Sequence, residues 1–454
     1  MKNLLIWLYE ESTHLNPQKF KRHFQTILTP YGVLYLMSTF TLVIWLLNRV
    51  NFPEMDERGV IEQAVGLLPV TWDWLWSQHN EHRIPLPKLV LVYFSRLTDR
   101  TQDYFILLNW SMVLASIIFM FKTVENILGR LPKWAALIPL FLMSPMQGQN
   151  MYIAFQVVFV MVLFFLATCL YFLSQNNEPM SKTSQTFFGL SLVGLPLCGA
   201  SGIPTALMVS TFVVFDIFIN KEKVFRRLPL LLFALLSFGA SVLYFVGYEH
   251  PPYHPKPDSL LGAVPIALEM LTLLLSGDFM TGSYPYALLL GSVVLVGSLL
   301  FIGYELKSRK MTEWGPAVLA ASLLGLALSI GYSRAPFNEL AGFAQRYAFL
   351  VGPLLPLSLA GFTYFSKNWP FWLKRTSLAA ACLLGIYAAR QGTHNQHQLH
   401  RRYRDLKVDV AAGLSVSDIA EKHWQHWYPS VEQVEFMLKA MKDKNWAVFK
   451  ESTK

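Results

Sequence analysis

The sequence is poor in charge and in cysteine. Charged residues make up 15% of its 454 residues, whereas about 25% is usual in soluble domains. The three cysteines, Cys169, Cys198 and Cys382, all lie within apolar stretches, and their positions exclude a disulfide framework or a cysteine-rich metal site. Hydrophobic residues account for 53% of the chain. This composition predicts an all-α, polytopic membrane protein and argues against a soluble globular domain.

The apolar residues occur in blocks long enough to cross a bilayer, which takes about 20 residues of helix. A further stretch at 259–275 is ambiguous, because prolines precede it and Gly277 and Asp278 follow it. About eleven spans are predicted on the apolar-window criterion, at residues 31–49, 103–121, 133–146, 151–173, 186–200, 202–219, 229–247, 285–305, 314–331, 346–365 and 375–390.

Lysine and arginine indicate how the chain is oriented, since they concentrate in short cytoplasmic loops. Three basic clusters fall on one side of the predicted spans, and two more join them only if 259–275 does not cross. These clusters lie at 19–22, 122–133, 221–227, 307–310 and 367–375. We therefore interpret 259–275 as a re-entrant or interfacial helix on the outer face. The N-terminus of the chain is then cytoplasmic and its C-terminus is external.

Three parts of the chain follow from this topology. Residues 1–30 form a cytoplasmic interfacial segment, and residues 31–390 form the transmembrane domain, with a large outer loop at 51–102. Residues 391–454 form a small, soluble, helical tail on the outer face. The net charge of +9 belongs largely to orienting loops, so no nucleic-acid partner is predicted. Polar and ionisable residues gather on the outer side, which predicts an active site there.

The acidic pair Asp56 and Glu57 follows closely behind the first predicted span. A carboxylate near the outer interface, partly removed from water, could act as a general base. The plainer alternative is an ordinary solvated pair in a loop. The cost of ionisable groups near a membrane favours a functional role.

A denser polar segment runs from Gln78 to Arg83. His79 and His82 would share one face if the segment were helical, with Glu81 between them, but two histidines and one glutamate fall short of a metal site. Arg83 and Lys88 offer a guanidinium fork and a point charge that suit a lipid phosphate. We assign His79 and His82 to substrate binding and Glu81 to catalysis.

Later outer segments carry further candidates. Arg346 and Tyr347 begin a late span, where the arginine either anchors the helix end or binds the phosphate of a lipid donor. Arg334, across the same loop, either joins it or pairs with Glu339. Gln149 and Asn150 either bind sugar hydroxyls or cap two spans.

The layout resembles that of the GT-C glycosyltransferases, integral-membrane enzymes that use polyprenyl-phosphate-linked sugars, such as protein O-mannosyltransferases and lipid A aminoarabinose transferases. The resemblance covers the multispan chain, the large first outer loop and the outer C-terminal domain. Its sharpest motif is Asp56-Glu57. Gln78–Arg83 and Gln345-Arg346-Tyr347 are also similar, though less specific. It implies a multi-pass protein of the bacterial inner membrane that glycosylates a glycan, lipid or protein of the cell envelope.

The resemblance implies roles for particular residues. Asp56 would activate an acceptor hydroxyl, and arginines would stabilise the departing lipid phosphate. Neither a nucleotide nor a metal cofactor would be required, although a divalent metal is possible. Many such enzymes carry a second acid in the next outer loop, where this chain has none between Pro145 and Asn150. Glu57 or Glu81 would take that role here.

Two other functions remain open. A polysaccharide polymerase or ligase would also act on lipid-linked sugars, but would consume an oligosaccharide diphosphate. A flippase or transporter would bind the lipid-linked sugar without reacting with it. Such a carrier predicts paired broken helices and charges at mid-bilayer, and few such charges occur: Asp216 and Glu269 are the nearest cases.

Overall fold

The computed structural model describes residues 29–98, 102–175, 180–219, 227–252, 255, 259–277, 284–427 and 430–452. Nearly all of the predicted interfacial segment at 1–30 lies outside these residues. Within them, the regular elements are α-helices and short 3-10 helices, together with one isolated backbone bridge between His79 and His82. The predicted all-α architecture is confirmed.

The helices of the first half lead from the first span into the middle of the bundle. They are α1 (Pro30–Leu47), α2 (Arg58–Ala64), α3 (Trp72–Trp76), α4 (Pro85–Leu97), α5 (Gln102–Leu128), α6 (Leu137–Leu142), α7 (Gly148–Tyr152), α8 (Val157–Leu173), α9 (Lys182–Leu197) and α10 (Ile203–Ile219).

The second half completes the bundle and adds a second domain, which we call the outer domain after its predicted location. Its helices are α11 (Leu228–Leu243), α12 (Ala263–Ser276), α13 (Tyr284–Ser308), α14 (Gly315–Arg334), α15 (Tyr347–Leu350), α16 (Leu354–Phe365), α17 (Phe371–Ala411), α18 (Val416–Trp427), α19 (Val431–Asp443) and α20 (Val448–Ser452). Short 3-10 helices precede α2, α7, α8, α10 and α15.

Six helices of the described residues are long and apolar enough to cross a membrane. They are Pro30–Leu47, Gln102–Leu128, Ala154–Leu173, Ala200–Ile219, Tyr284–Ser308 and Gly315–Arg334. The helices Leu228–Leu243 and Ala263–Ser276 are shorter and also apolar. The chain is therefore a multi-pass membrane protein. At a rise of about 1.5 Å per residue, the 14 residues of α12 extend roughly 21 Å, which is less than a bilayer core of about 30 Å. This length fits the re-entrant interpretation.

Two of the predicted spans are broken rather than continuous. The stretch 133–146 contains a 3-10 turn followed by the six-residue helix α6, and 346–365 is divided between α15 and α16. Pro145 and Pro353 lie at these breaks, where proline removes a backbone donor. Most of the side chains around both breaks are buried, so protein rather than lipid surrounds the irregular backbone.

The last predicted span and the start of the tail form one helix. The 41 residues of α17 run without a break through the predicted boundary at 391. Leu383 and Ile386 are 68% and 60% exposed on its first half, as expected of a surface that faces lipid. Further along, Gly392 lets α17 approach the chain at Pro145 closely, since an added Cβ would lie 2.2 Å from the carbonyl of Pro145.

The outer domain contains both the tail and the first loop. Its core is separate from that of the bundle, and it joins α18–α20 and the end of α17 to four side chains of the first loop: Val50, Phe52, Ile61 and Val65. Phe52 packs against Trp427, with ring centroids 4.7 Å apart. The tail predicted at 391–454 is thus only one part of this domain, and the other part comes from a segment near the start of the chain.

Candidate active site

The acidic pair behind the first span faces two ways. A 3-10 turn at Met55–Glu57 leads directly into α2. The side chain of Asp56 is 50% exposed, whereas Glu57 is only 5% exposed. The Glu57 carboxylate accepts hydrogen bonds from the backbone N–H of Glu54 at 2.8 Å and from Gln102 at 3.4 Å. Glu57 therefore closes the turn, and Asp56 is the member of the pair that a substrate can reach.

The two carboxyl groups also differ in pKa. Burial raises the pKa of Glu57 to about 8, and the nearby carboxyl of Glu54 acts in the same direction. Burial also acts to raise the pKa of Asp56, but His79, Arg346 and Asn80 together lower it below its ordinary value. Asp56 is thus ionised at neutral pH, while Glu57 is largely protonated.

The segment Gln78–Arg83 is a tight turn and not a helix. His79 and His82 exchange backbone hydrogen bonds at 2.6 Å and 3.0 Å, and Asn80 has a φ of 52°, in the left-handed region that asparagine tolerates. The prediction that the two histidines share a helical face is therefore wrong. The turn sends them to different partners.

One side of this turn meets Asp56. The His79 Nε2 atom lies 3.8 Å from Asp56 Oδ1, and the amide of Asn80 donates to the same oxygen at 3.4 Å. His79 also packs 5.2 Å from the ring of Phe155. Gly59 makes room for it, since an added Cβ would lie 2.5 Å from the imidazole. We call Asp56, His79 and Asn80 the open cluster.

The other side of the turn meets α14. Glu81 forms an ion pair with Arg334, and both side chains are largely shielded, at 18% and 17% exposed. His82 lies 3.3 Å from the same carboxylate. We call Glu81, His82 and Arg334 the closed cluster. The Glu81 carboxylate and the Arg334 guanidinium neutralise each other. Glu81 could act in catalysis, and Arg334 could bind phosphate, only in competition with this ion pair.

Arg83 and Lys88 are largely buried and donate hydrogen bonds to the backbone, and Lys88 also lines the cavity that contains Asp56. Arg83 donates to the carbonyls of Val246 and Gly247 at 2.7 Å and 2.6 Å and is 6% exposed. Lys88, at 2% exposed, donates to the Trp74 and Ser77 carbonyls at 2.7 Å and 2.8 Å. Burial lowers the pKa of Lys88 to about 8. The prediction that these residues bind phosphate does not fit these contacts, which hold the first outer loop in shape.

Arg346 and Tyr347 lie at the base of the site. Arg346 immediately precedes α15, is half-buried, and contributes to the lowered pKa of Asp56. Its guanidinium lies 5.2 Å from the ring centroid of Tyr347. Both line an open cavity of about 440 Å³ that also includes Arg334. Arg346 is therefore the predicted phosphate ligand that the structure leaves best placed near Asp56.

The amides predicted to bind sugar support this arginine instead. The side chain of Asn150 is fully buried and donates to the Gln345 carbonyl at 2.8 Å. The backbone N–H of Gln149 donates to the Gln345 side chain at 3.4 Å. Both contacts fix the residue before Arg346. The predicted binding of sugar by Gln149 and Asn150 stays a prediction.

A cavity of about 1080 Å³ joins the open cluster to the outer domain, and we call it the Asp56 cavity. Asp56, His79 and Asn80 line its inner wall. The facing wall comes from α18 and α19, with Gln425, His426, Trp427, Gln433 and Phe436. Sequence reasoning missed these tail residues because no pattern links them to a loop more than 300 positions away. Gly59 could have been noticed, since a glycine inside a short helix marks a close approach.

No group of three or more histidine, cysteine, aspartate or glutamate side chains within the described ranges could hold a metal ion. The open cluster offers one carboxylate and one imidazole, and the closed cluster holds its carboxylate in an ion pair. These donor sets are too small for a structural metal site, which usually has four ligands.

No protein-family model and no curated protein sequence match the chain. Similar solved structures include ArnT from Cupriavidus metallidurans bound to undecaprenyl phosphate, at 14% identity and a TM-score of 0.46, covering 93% of this chain and 77% of that one. Another is the archaeal oligosaccharyltransferase AglB from Archaeoglobus fulgidus with an inhibitory peptide and a dolichol-phosphate. It is 11% identical, with a TM-score of 0.46, and covers 88% of this chain.

This chain spans 60% of the length of the AglB chain. At these TM-scores, the chemistry has to be argued from the residues of this chain.

Proposed function

We propose that this protein transfers a sugar from a polyprenyl-phosphate donor to an acceptor of the cell envelope. The observation that carries the proposal is the open cluster: an ionised, half-exposed carboxylate at the wall of a large cavity. Asp56 has His79 and Asn80 beside it and the charge of Arg346 acting on it. A base, hydrogen-bonding groups and a cation for phosphate are thus combined at one end of a membrane bundle.

Asp56 acts on the acceptor in this mechanism. Its carboxylate takes the proton of an acceptor hydroxyl as that oxygen attacks the anomeric carbon of the donor sugar. The bond between the anomeric carbon and the phosphate oxygen breaks, and the polyprenyl phosphate leaves with the electron pair. Because the leaving phosphate is already a good leaving group, the protein has to supply orientation and charge stabilisation.

Arg346 stabilises the leaving phosphate. A guanidinium stays protonated throughout the working pH range and matches the geometry of phosphate oxygens. Gln345, held by Asn150, fixes the backbone just before this arginine. Tyr347 lies beside it and lines the cavity. The charge of Arg334 is partly balanced by Glu81, so it contributes less.

The acceptor occupies the Asp56 cavity. Gln425 and Gln433 of the outer domain supply amide groups to its wall, and Phe436 supplies an aromatic surface. The site then lies on the outer face of the bacterial inner membrane, with the N-terminus in the cytoplasm, as the distribution of lysine and arginine favours.

The test is transfer of radiolabelled sugar from polyprenyl-phosphate donors by the purified protein in nanodiscs. We expect label to reach an envelope acceptor, and we expect Asp56→Asn to abolish transfer. Asp73→Asn is the matched control, because it makes the same change in the same loop on an exposed residue of α3. Full activity of Asp56→Asn would contradict the assignment.

Two further arms separate the related functions. Turnover only with an oligosaccharide diphosphate would indicate a polymerase or ligase. Binding of lipid-linked sugar without turnover of any donor would indicate a flippase. Activity that survives a chelator would show that Arg346 and its neighbours neutralise the phosphate without a metal ion, as we propose.

A further inference from the structure

A second polar cavity lies at the junction of α1 and α17, apart from the Asp56 cavity. Its volume is about 620 Å³. Three of its residues are basic: Arg49, Arg404 and Lys407. The others are neutral or weakly basic: Asn51, His400, Tyr403, Val408 and Ala411. No carboxylate is among these lining residues, so the cavity presents positive charge.

The cavity lies at the level where the first span ends. The last residue of α1 is Leu47. Immediately after it, Asn48 Oδ1 lies 3.0 Å from His397 Nδ1, and the carbonyl of Arg49 lies 2.9 Å from His400 Nδ1. These contacts bring the basic part of α17 level with the end of a membrane helix. The headgroup layer of the surrounding leaflet lies at this level.

The course of α17 leads to the same position. Leu383 and Ile386 are exposed apolar residues, and Arg404 follows on the same unbroken helix. At about 1.5 Å per residue, Arg404 lies roughly 27 Å along the helix axis from Ile386. The helix thus carries its basic residues out of the apolar layer and into the polar one.

The charge of Arg404 is available to a ligand. Its side chain is 66% exposed, and the carboxylate of Asp405 is 3.9 Å away, a distance at which an exposed ion pair is weak. Arg49 is more constrained: it pairs with Asp103 yet keeps 54% of its side chain exposed, and its guanidinium lies 5.7 Å from the ring of Trp45. One paired and one largely exposed cation thus flank the cavity.

Membrane orientation does not account for this cluster. The predicted topology places this end of α17 outside, whereas lysine and arginine normally concentrate on the cytoplasmic side. The basic residues also line a cavity together with residues just after α1. A basic helix face that served only to contact water would not form such a cavity. The cluster therefore calls for an anionic partner at the level of the bilayer surface.

We propose that this cavity binds the phosphate of an anionic phospholipid headgroup. Guanidinium and ammonium groups are the usual protein ligands of phosphate, and basic groups next to a membrane segment attract anionic lipids. Val408 and Ala411 add an apolar wall that suits the glyceryl part of a lipid better than free phosphate. The inference does not depend on the proposed sugar transfer.

The test is lipid retention by the purified protein, measured by native mass spectrometry after exchange into mixed phosphatidylglycerol and phosphatidylcholine. We expect wild type to retain phosphatidylglycerol in preference. The pair Arg404→Gln and Lys407→Gln should lower this preference by about 25-fold, since each basic group near a membrane surface contributes about a factor of five.

Two controls keep the result interpretable. Lys442→Gln and Lys444→Gln remove the same charge from exposed positions at the end of α19, and should leave the preference unchanged. The conservative pair Arg404→Lys and Lys407→Arg should restore it. Equal retention of both lipids by wild type, or unchanged preference in the glutamine pair, would overturn the proposal. Competition by glycerol phosphate as effective as that by the lipid would overturn the assignment to a lipid.

Discussion

The open and closed clusters begin from the same turn and end in opposite states. His79 and Asn80 turn toward Asp56, whose carboxylate is half exposed in a large cavity. Glu81 and His82 turn toward Arg334, and the carboxylate there is shielded in an ion pair. Both clusters line cavities. They differ in that the Glu81 carboxylate is already paired with an arginine, whereas the Asp56 carboxylate is not.

This difference shows what decides the use of a charged residue in such a loop. The same residue types, histidine and carboxylate, occur in both clusters. Only the closed cluster receives an arginine in direct contact, from a helix more than 200 positions later. An ion pair of this kind fixes the turn and joins it to α14. The open cluster keeps its charge for a substrate because Arg346 acts on Asp56 without a hydrogen bond or ion pair between them being formed.

The largest effect should come from removing the charge of the open cluster. Asp56→Asn should lower kcat by about 10²–10⁴-fold, the range for loss of a general base. Glu81→Gln removes the corresponding charge from the closed cluster and should lower kcat far less. Sugar transfer under saturating donor measures both. If Glu81→Gln proved the more damaging change in kcat, the closed cluster would be the reactive one.

Glu57 and Asp56 should affect the stability of the protein in opposite directions as the pH changes. The pKa of Glu57 is raised in the folded protein from 4.5 to about 8, so the folded state holds an extra proton between these values. The contribution of Glu57 to stability is therefore present below pH 4.5 and is lost as the pH rises toward 8. Glu57→Gln should therefore gain stability relative to wild type as the pH rises across this window.

Thermal unfolding of wild type and Glu57→Gln at a series of pH values measures this difference. Asp56→Asn should show the opposite sign, because the pKa of Asp56 is lowered and its contribution is lost as the pH falls through the folded pKa. Parallel curves for wild type and Glu57→Gln would mean that the Glu57 carboxyl is not held protonated by burial.

The closed cluster should behave as one unit in stability. Replacing Glu81 or Arg334 with glutamine leaves a partly buried charge unpaired, and each change should cost roughly 1–3 kcal/mol. The double variant should cost less than the sum of the two single changes. Chemical unfolding of the four proteins gives the coupling energy. Additive costs would show that the ion pair does not hold the turn to α14.

The smallest effect concerns the pH profile of transfer. His79 lowers the pKa of Asp56, so His79→Gln should move the acid limb of the kcat profile to higher pH. His82→Gln, the equivalent change in the closed cluster, should leave that limb in place. Rates measured from neutral pH down to below the ordinary pKa of an aspartate test both variants. A limb that moves equally in the two variants would argue that Asp56 is not the group that titrates.

Much of the architecture could be predicted because it depends on composition over long windows. Apolar blocks identify membrane helices without any knowledge of their packing, and the all-α bundle follows. The number of spans was harder to predict. Pro145 and Pro353 break two apolar blocks, and an average of hydropathy over a long window does not reveal such breaks. The boundary at 391 also depended on composition alone. The chain turns polar there, but α17 continues, because a helix needs only its own hydrogen bonds to cross from lipid into water.

The site was predicted in outline and not in detail. Asp56 stood out because an acid close behind a span is costly. The structure leaves its side chain half exposed and lowers its pKa, whereas partial loss of water would have raised the pKa. Arg83 and Lys88 looked equally suitable for phosphate, yet Arg83 donates to carbonyls just after α11 and Lys88 donates to carbonyls of the first loop. Nothing in the local sequence distinguishes a cation that binds backbone from one that faces a cavity.

The sequence by itself determined that this protein is a multi-pass helical bundle with its polar residues gathered at one end. Burial of apolar side chains and helical hydrogen bonding act locally, so that their patterns are readable along the chain. Only the tertiary structure decided which carboxylate is paired and which is open, and that the tail closes the Asp56 cavity. Those outcomes depend on which distant residues share a space of a few ångströms, because hydrogen bonds and ion pairs form only at such distances.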